Sequence, residues 1–187
     1  MRLLSIIMLA CLSALVVAAC NTKNNKTMDQ NSKTLVAYFS ATGITKEAAT
    51  RLAGVAGADL YEIVPEVRYT SADLNWRDKS SRSSVEMADK SSRPAIAGRV
   101  EHMEQYDTVF VGFPIWWYVA PTIVNTFLEQ YDLERKTIVP FFTSGGSEAG
   151  ETLKYLKPSA PGANWVEPKN FNNLDDAAMK AWVKSLK

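Results

Sequence analysis

A chain of 187 residues, 47% hydrophobic and 22% charged, carries apolar material for one folded core and is not a low-hydropathy disordered chain. Its 21 basic residues against 20 acidic ones leave no basic surplus for nucleic acid and no acidic surplus for a basic partner. Its two cysteines, Cys11 and Cys20, both lie near the N-terminus and its one histidine is His102, so the chain beyond Cys20 lacks the residues for a His/Cys metal site.

The first 19 residues carry one charge, Arg2, ahead of the apolar "LLSIIMLACLSALVVAA". A basic residue, an apolar stretch and then small residues describe a secretory signal. At about 17 residues the apolar part is at the short end for a membrane span. From the residues alone, the segment is either removed on export or kept as an anchor. The "VAAC" that closes it resembles the lipobox of bacterial lipoproteins. That resemblance implies lipidation at Cys20, removal of residues 1–19, and a lipid-anchored location in the bacterial cell envelope, on the periplasmic side or the cell surface. Two or more acyl chains hold a protein at a membrane where one does not. Cys11 lies inside the signal, so the remaining domain has no thiol of its own, and the loss of Arg2 leaves 20 basic against 20 acidic residues. From Cys20 to Lys33 the chain is polar and without apolar periodicity, a flexible tether spanning about 20 Å.

The domain is expected from Thr34 to Lys187. "TLVAYFS" is too apolar for a half-exposed strand and suits a central parallel one. Ile44, Ala48, Leu52 and Val55 follow at helical spacing, with Gly57 as the stop. "DLYEIVP" is the second strand. Residues 66–100 break the rhythm, being rich in Ser and both charges, and predict a partly helical excursion over one end of the sheet. His102 follows in a polar stretch and reads as a surface residue. "DTVFVGFP" is the third strand, "PTIVNTFLEQYDL" a helix with Ile123, Val124, Phe127, Leu128 and Tyr131 on one face, and "KTIVPFFTSGG" the fourth strand. A helix over "SEAGETLKYLK", a short fifth strand "NWVEPKNF" and a closing helix with Leu174, Ala178 and Trp182 in register complete the chain. Alternating buried strands and helices predict a doubly wound α/β domain with a parallel sheet.

In such a sheet, ligands bind beyond the carboxyl ends of the strands. Three strands end in unusual loops. The first is Ser40-Ala41-Thr42-Gly43-Ile44-Thr45. It places hydroxyls and a glycine at a helix N-terminus, where unpaired N–H groups make an anion site without Lys or Arg. A single N-cap accounts for one hydroxyl, not three. The spacing is neither G-x-G-x-x-G nor G-x-x-x-x-G-K-[ST], which disfavours a dinucleotide or a nucleoside triphosphate here. The second loop, Pro114-Ile115-Trp116-Trp117-Tyr118, puts three consecutive aromatics directly after a strand, a wall for a flat ring. The third, Thr143-Ser144-Gly145-Gly146-Ser147, allows close backbone approach and offers hydroxyls to a polar edge. A phosphorylated planar heterocycle fits the three together.

"SATGIT" after an apolar strand resembles the phosphate loop of flavodoxins, and "VGFPIWWYVAPTIVNTFLE" and "VPFFTSGGS" resemble their second and third flavin-contacting loops. The resemblance covers Thr34 to Lys187. It implies a five-stranded sheet of order 2-1-3-4-5 in three α/β/α layers, and bound FMN. Carried over by position, Ser40, Thr42, Gly43, Ile44 and Thr45 would hold the phosphate. Pro114, Ile115, Trp116 and Trp117 would flank the ring and its N5 edge, and Thr143, Ser144, Gly145, Gly146 and Ser147 would meet its other end. Tyr69, in the excursion, would shield the flavin.

A bound flavin needs no protein nucleophile. Three functions stay open: an electron carrier docking to redox proteins; an FMN-dependent NAD(P)H:quinone-type reductase with a small-molecule acceptor; and a cofactor-free interaction module. Flavodoxin carriers are usually strongly acidic and this chain is neutral. The excursion could shape a substrate pocket. An exported location favours a membrane-side electron donor over NAD(P)H.

Overall fold

A computed structural model describes residues 33–186. The expected signal, Cys20 and the tether as far as Ser32 lie outside the described residues. Lys33, expected in the tether, opens the first strand.

The most apolar runs form the centre of the sheet. Strand β1 (Lys33–Tyr38) lies between β2 (Asp59–Glu62) and β5 (Tyr106–Pro114), with β6 (Thr137–Thr143) beyond β5, and every pairing is parallel. The outermost position is shared by two short pieces, β7 (Asn164–Trp165) and β8 (Lys169–Asn170), both paired to β6. Counting these as one, the order is the expected 2-1-3-4-5. The fifth strand is split because Pro168 supplies no N–H to the ladder just ahead of β8.

Period-2 alternation sorts the central strands between two cores. Leu35, Ala37, Val109, Val111 and Phe113 face one layer with Ile123, Val124, Phe127 and Leu128 of helix α3 (Ile123–Leu128). Val36, Tyr38, Phe110, Val139 and Phe141 face the other, with helix α1 (Ile44–Ala56) and the closing helix α5 (Asp176–Ser185). Both faces are covered, which is why the strands read as continuous apolar runs.

Helix faces differ from expectation by about one residue. In α1 the buried stripe is Thr45, Ala48, Ala49, Leu52 and Ala53, while Ile44 is 64% exposed. Small alanines bring the helix close to the sheet, and Ile44 falls one step off that stripe. Gly57 ends the helix in the left-handed region, as its position predicts. In α5 the fully buried residue is Met179; Ala178 is exposed and Leu174 precedes the helix. The helix expected over residues 147–157 forms only as α4 (Thr152–Leu156), since Gly146 and Gly150 take positive φ in the segment before it.

The second expected strand also divides. After β2 the chain turns away, and β3 (Val64–Pro65) pairs antiparallel with β4 (Ile96–Ala97), closing the base of the excursion. Within it lies helix α2 (Arg82–Ala88), with Ser81 as N-cap. Tyr69 packs edge-on against Phe39 and Trp116, with ring centroids 5.7 and 5.4 Å away. The excursion is thus folded over the carboxyl end of the sheet.

Candidate functional site

Because β1, β5 and β6 are neighbours and parallel, their three loops emerge side by side. The ladder continues one step into them: Phe39 N–H donates to the Gly112 carbonyl at 2.8 Å and Ile115 N–H to the Thr143 carbonyl at 2.9 Å.

In the first loop, Gly43 is the N-cap of α1 at φ 92°, and no side chain caps the helix. Ser40 Oγ accepts from Gly43 N–H at 3.1 Å, closing the loop on itself. Thr45 Oγ1 is buried against Thr143 Oγ1 at 2.8 Å, while Thr42 stays exposed. Neither threonine caps the helix, so its first N–H groups have no side-chain acceptor and retain their partial positive charge.

The second loop is a hairpin. Trp116 and Val119 exchange both backbone hydrogen bonds, at 2.9 and 3.1 Å. That leaves Trp117 and Tyr118 as the central pair, at φ 46° and 65°. Two consecutive left-handed residues are the signature of a tight turn normally built from Asn and Gly. Each bulky residue there costs on the order of 1–3 kcal/mol. The strain turns both rings outward: Trp117 is 41% and Tyr118 69% exposed. Gly150 makes the turn possible from below, since a Cβ there would run into the Tyr118 carbonyl oxygen.

The third loop is held by a residue that sequence reading missed. Asn172 Oδ1 accepts from Ser144 N–H at 3.0 Å, and its Nδ2 donates to the Ser144 carbonyl at 2.9 Å. Ser144 Oγ donates to the Ser147 carbonyl at 2.6 Å and accepts from Gly146 N–H at 3.2 Å. Asn172 lies 28 residues on, beyond β8, and nothing in the local pattern points to it.

The loops enclose a cavity of about 630 Å³. Thr42, Pro114, Ile115, Trp116, Trp117, Gly145 and Ser147 line it, joined by Ala41 and Tyr118. Ser40, Gly43, Ile44, Thr45, Thr143, Ser144 and Gly146 belong to the same loops but are not lining residues. The excursion adds Leu74, Trp76 and Ser83 to the wall, none of them singled out in the sequence. Tyr69, expected at the ligand, does not line the cavity. Its hydroxyl donates to Glu86 and its ring carries the Arg82 guanidinium at 4.0 Å, so it braces Trp116 from behind. Burial first, and then the Glu86 carboxylate, push the Tyr69 phenol well above its ordinary range.

No match is found among curated proteins. Solved structures do match. A candidate flavoprotein from Bacteroides eggerthii DSM 20697 is 53% identical, at a TM-score of 0.79, over 83% of this chain and 98% of its own. One from Bacteroides uniformis ATCC 8492 is 48% identical, at 0.78, over 83% and 99%. A flavoprotein from Lactobacillus acidophilus NCFM, solved in complex with FMN, is 23% identical at 0.62, over 81% and 98%, and shares the fold. The family model described as flavodoxin matches residues 33–186. The chain belongs to the flavodoxin family.

Proposed function

We propose that this protein binds FMN in the cavity and passes electrons by means of it. The observation that carries the reading is one cavity of about 630 Å³ bounded by an aromatic hairpin and a glycine-rich loop, beside a helix N-terminus without a side-chain cap. The N–H groups at the start of α1, with Thr42 and Gly43, would hold the phosphate. Trp116 and Trp117 would flank the ring, with Pro114 and Ile115 at its N5 edge, and residues 143–147 would meet the far end. Bound FMN supplies the redox chemistry; the chain's residues orient the ring and keep water from it. The Bacteroides relatives, described as flavoproteins, support the same reading.

The partner is either a redox protein or a small-molecule electron acceptor. Leu74 and Trp76 extend the cavity wall beyond the three loops, which favours the small molecule and hence a reductase. The domain works at a membrane, tethered through lipidated Cys20 in the cell envelope. The anchor is assigned to Cys20 on the resemblance of "VAAC" to a lipobox; among the described residues no helix is long and apolar enough to cross a membrane. Cys20→Ser is expected to move the protein from the membrane fraction to the soluble one.

The deciding experiment is a visible spectrum of the purified protein after incubation with FMN and desalting. A retained flavin spectrum, weakened by Thr42→Ala and by Gly43→Val, supports the reading, and NADH or NADPH oxidation by that holoprotein separates reductase from carrier. A folded protein that stays colourless overturns both and leaves an interaction module on a flavodoxin scaffold.

A further inference from the structure

Ser83 differs from the other polar residues of the cavity wall. It comes from the excursion rather than from a strand-end loop, it is 2% exposed, and its hydroxyl has no hydrogen-bond partner. Buried hydroxyls are almost always paired, and one left alone lowers the stability of the fold. A helical serine normally returns its hydroxyl to a carbonyl one turn back or gives it to water. Its neighbours do find partners: Ser81 Oγ donates to Ser84 Oγ at 2.9 Å and accepts from Ser84 N–H at 3.3 Å. Within α2 the Ser83 hydroxyl is left over, on a residue that lines the cavity.

The backbone that carries it is fixed from several sides. Ser83 N–H donates to the Asp73 carbonyl at 3.0 Å. The adjacent Arg82 is paired with Glu86 at 2.6 Å, donates to the Val67 carbonyl at 2.6 Å, and stacks on Tyr69, which in turn packs on Trp116. The hydroxyl is therefore held in place relative to the aromatic hairpin. A fixed, unsolvated and unpaired polar atom in a cavity wall is what a ligand contact looks like before the ligand arrives.

We propose that Ser83 is a further flavin-binding residue, contributed by the excursion, whose hydroxyl pairs with a polar atom of the bound FMN. The proposal rests on the FMN reading above. It also gives the excursion a purpose, since residues 66–100 then complete the site as well as covering the sheet end.

The test compares wild type, Ser83→Ala and Ser84→Ala, using the full chain. Two quantities are measured: the melting temperature without flavin, and the dissociation constants for FMN and lumiflavin from fluorescence quenching. Ser83→Ala is expected to melt about 3 °C higher without flavin, because an unpaired buried hydroxyl is gone. It is expected to bind FMN roughly five- to tenfold more weakly, the worth of one hydrogen bond. A loss that carries over to lumiflavin places the contact on the ring; a loss confined to FMN places it on the ribityl phosphate chain. Ser84→Ala should show the reverse pattern, with a lower melting temperature and unchanged FMN affinity. Wild-type uptake of FMN with an unaltered constant in Ser83→Ala overturns this proposal alone. Failure of the wild type to take up FMN overturns it together with the reading on which it rests.

Discussion

Thr45 and Thr143 share a buried hydrogen bond, Oγ1 to Oγ1 at 2.8 Å, across 98 residues of chain. Thr45 sits in the first turn of α1 and Thr143 ends β6, so a single contact sets the distance between the first and third loops. Both residues were picked out in the sequence as ligand contacts. In the fold their hydroxyls meet each other, and neither residue lines the cavity. Thr45→Val or Thr143→Val alone strands a buried hydroxyl and should cost about 1–3 kcal/mol in urea unfolding of the flavin-free protein. The double variant should cost clearly less than the sum. Strict additivity would show that the bond does not couple the loops.

The turn at Trp117 and Tyr118 carries backbone strain. With φ at 46° and 65°, both residues sit where Asn-Gly is preferred. Replacing the pair by Asn-Gly should stabilise the flavin-free protein by about 1–2 kcal/mol. It should also weaken FMN binding, because an aromatic wall of the cavity is lost. Denaturation and flavin titration on the same variant measure the two effects. Lower stability together with unchanged affinity would mean that the rings serve packing.

The fold was legible in the sequence because its central strands are buried on both faces and therefore spell out unbroken apolar runs, "TLVAYFS" and "DTVFVGFP" among them. The three loops were legible because each follows such a run directly. Ile44 misleads because the face of α1 that meets the sheet is built mainly from alanines, and in α5 the reverse holds, with Met179 buried beside an exposed Ala178. Asn172, Leu74, Trp76 and Ser83 were not legible at all. They act across long sequence separations from segments without periodicity: tertiary folding of the excursion brings Leu74, Trp76 and Ser83 to the cavity, and that of the stretch after β8 brings Asn172 to the third loop.

Asn172 offers a direct check on how the third loop is held. Its side chain makes three hydrogen bonds to Ser144, at 2.9, 3.0 and 3.2 Å. Asn172→Ala frees the Ser144 backbone groups, and the expected cost is about 1–2 kcal/mol of stability. Amide hydrogen exchange at Gly145, Gly146 and Ser147 should accelerate while exchange in β1 and β5 keeps its protection. Equal acceleration everywhere would point to global destabilisation, with no special role for Asn172 in the loop.

Alkaline pH probes the buried phenols. The Tyr106 hydroxyl donates to Asp59 Oδ2 at 2.7 Å, and burial, followed by that carboxylate, pushes its pKa up to about 12. Tyr38, buried and donating to Glu62 at 3.0 Å, is raised in the same direction. In the unfolded chain these phenols ionise near pH 10. The folded state therefore keeps protons that the unfolded state gives up, and stability present below about pH 10 is lost as the pH climbs towards 12. Urea midpoints should stay level up to about pH 9 and then fall steeply. Tyr106→Phe should be less stable at neutral pH, through the lost hydrogen bond, yet show a shallower alkaline fall. If wild type and Tyr106→Phe lose stability in parallel above pH 10, the Tyr106 phenol is not a proton that folding retains.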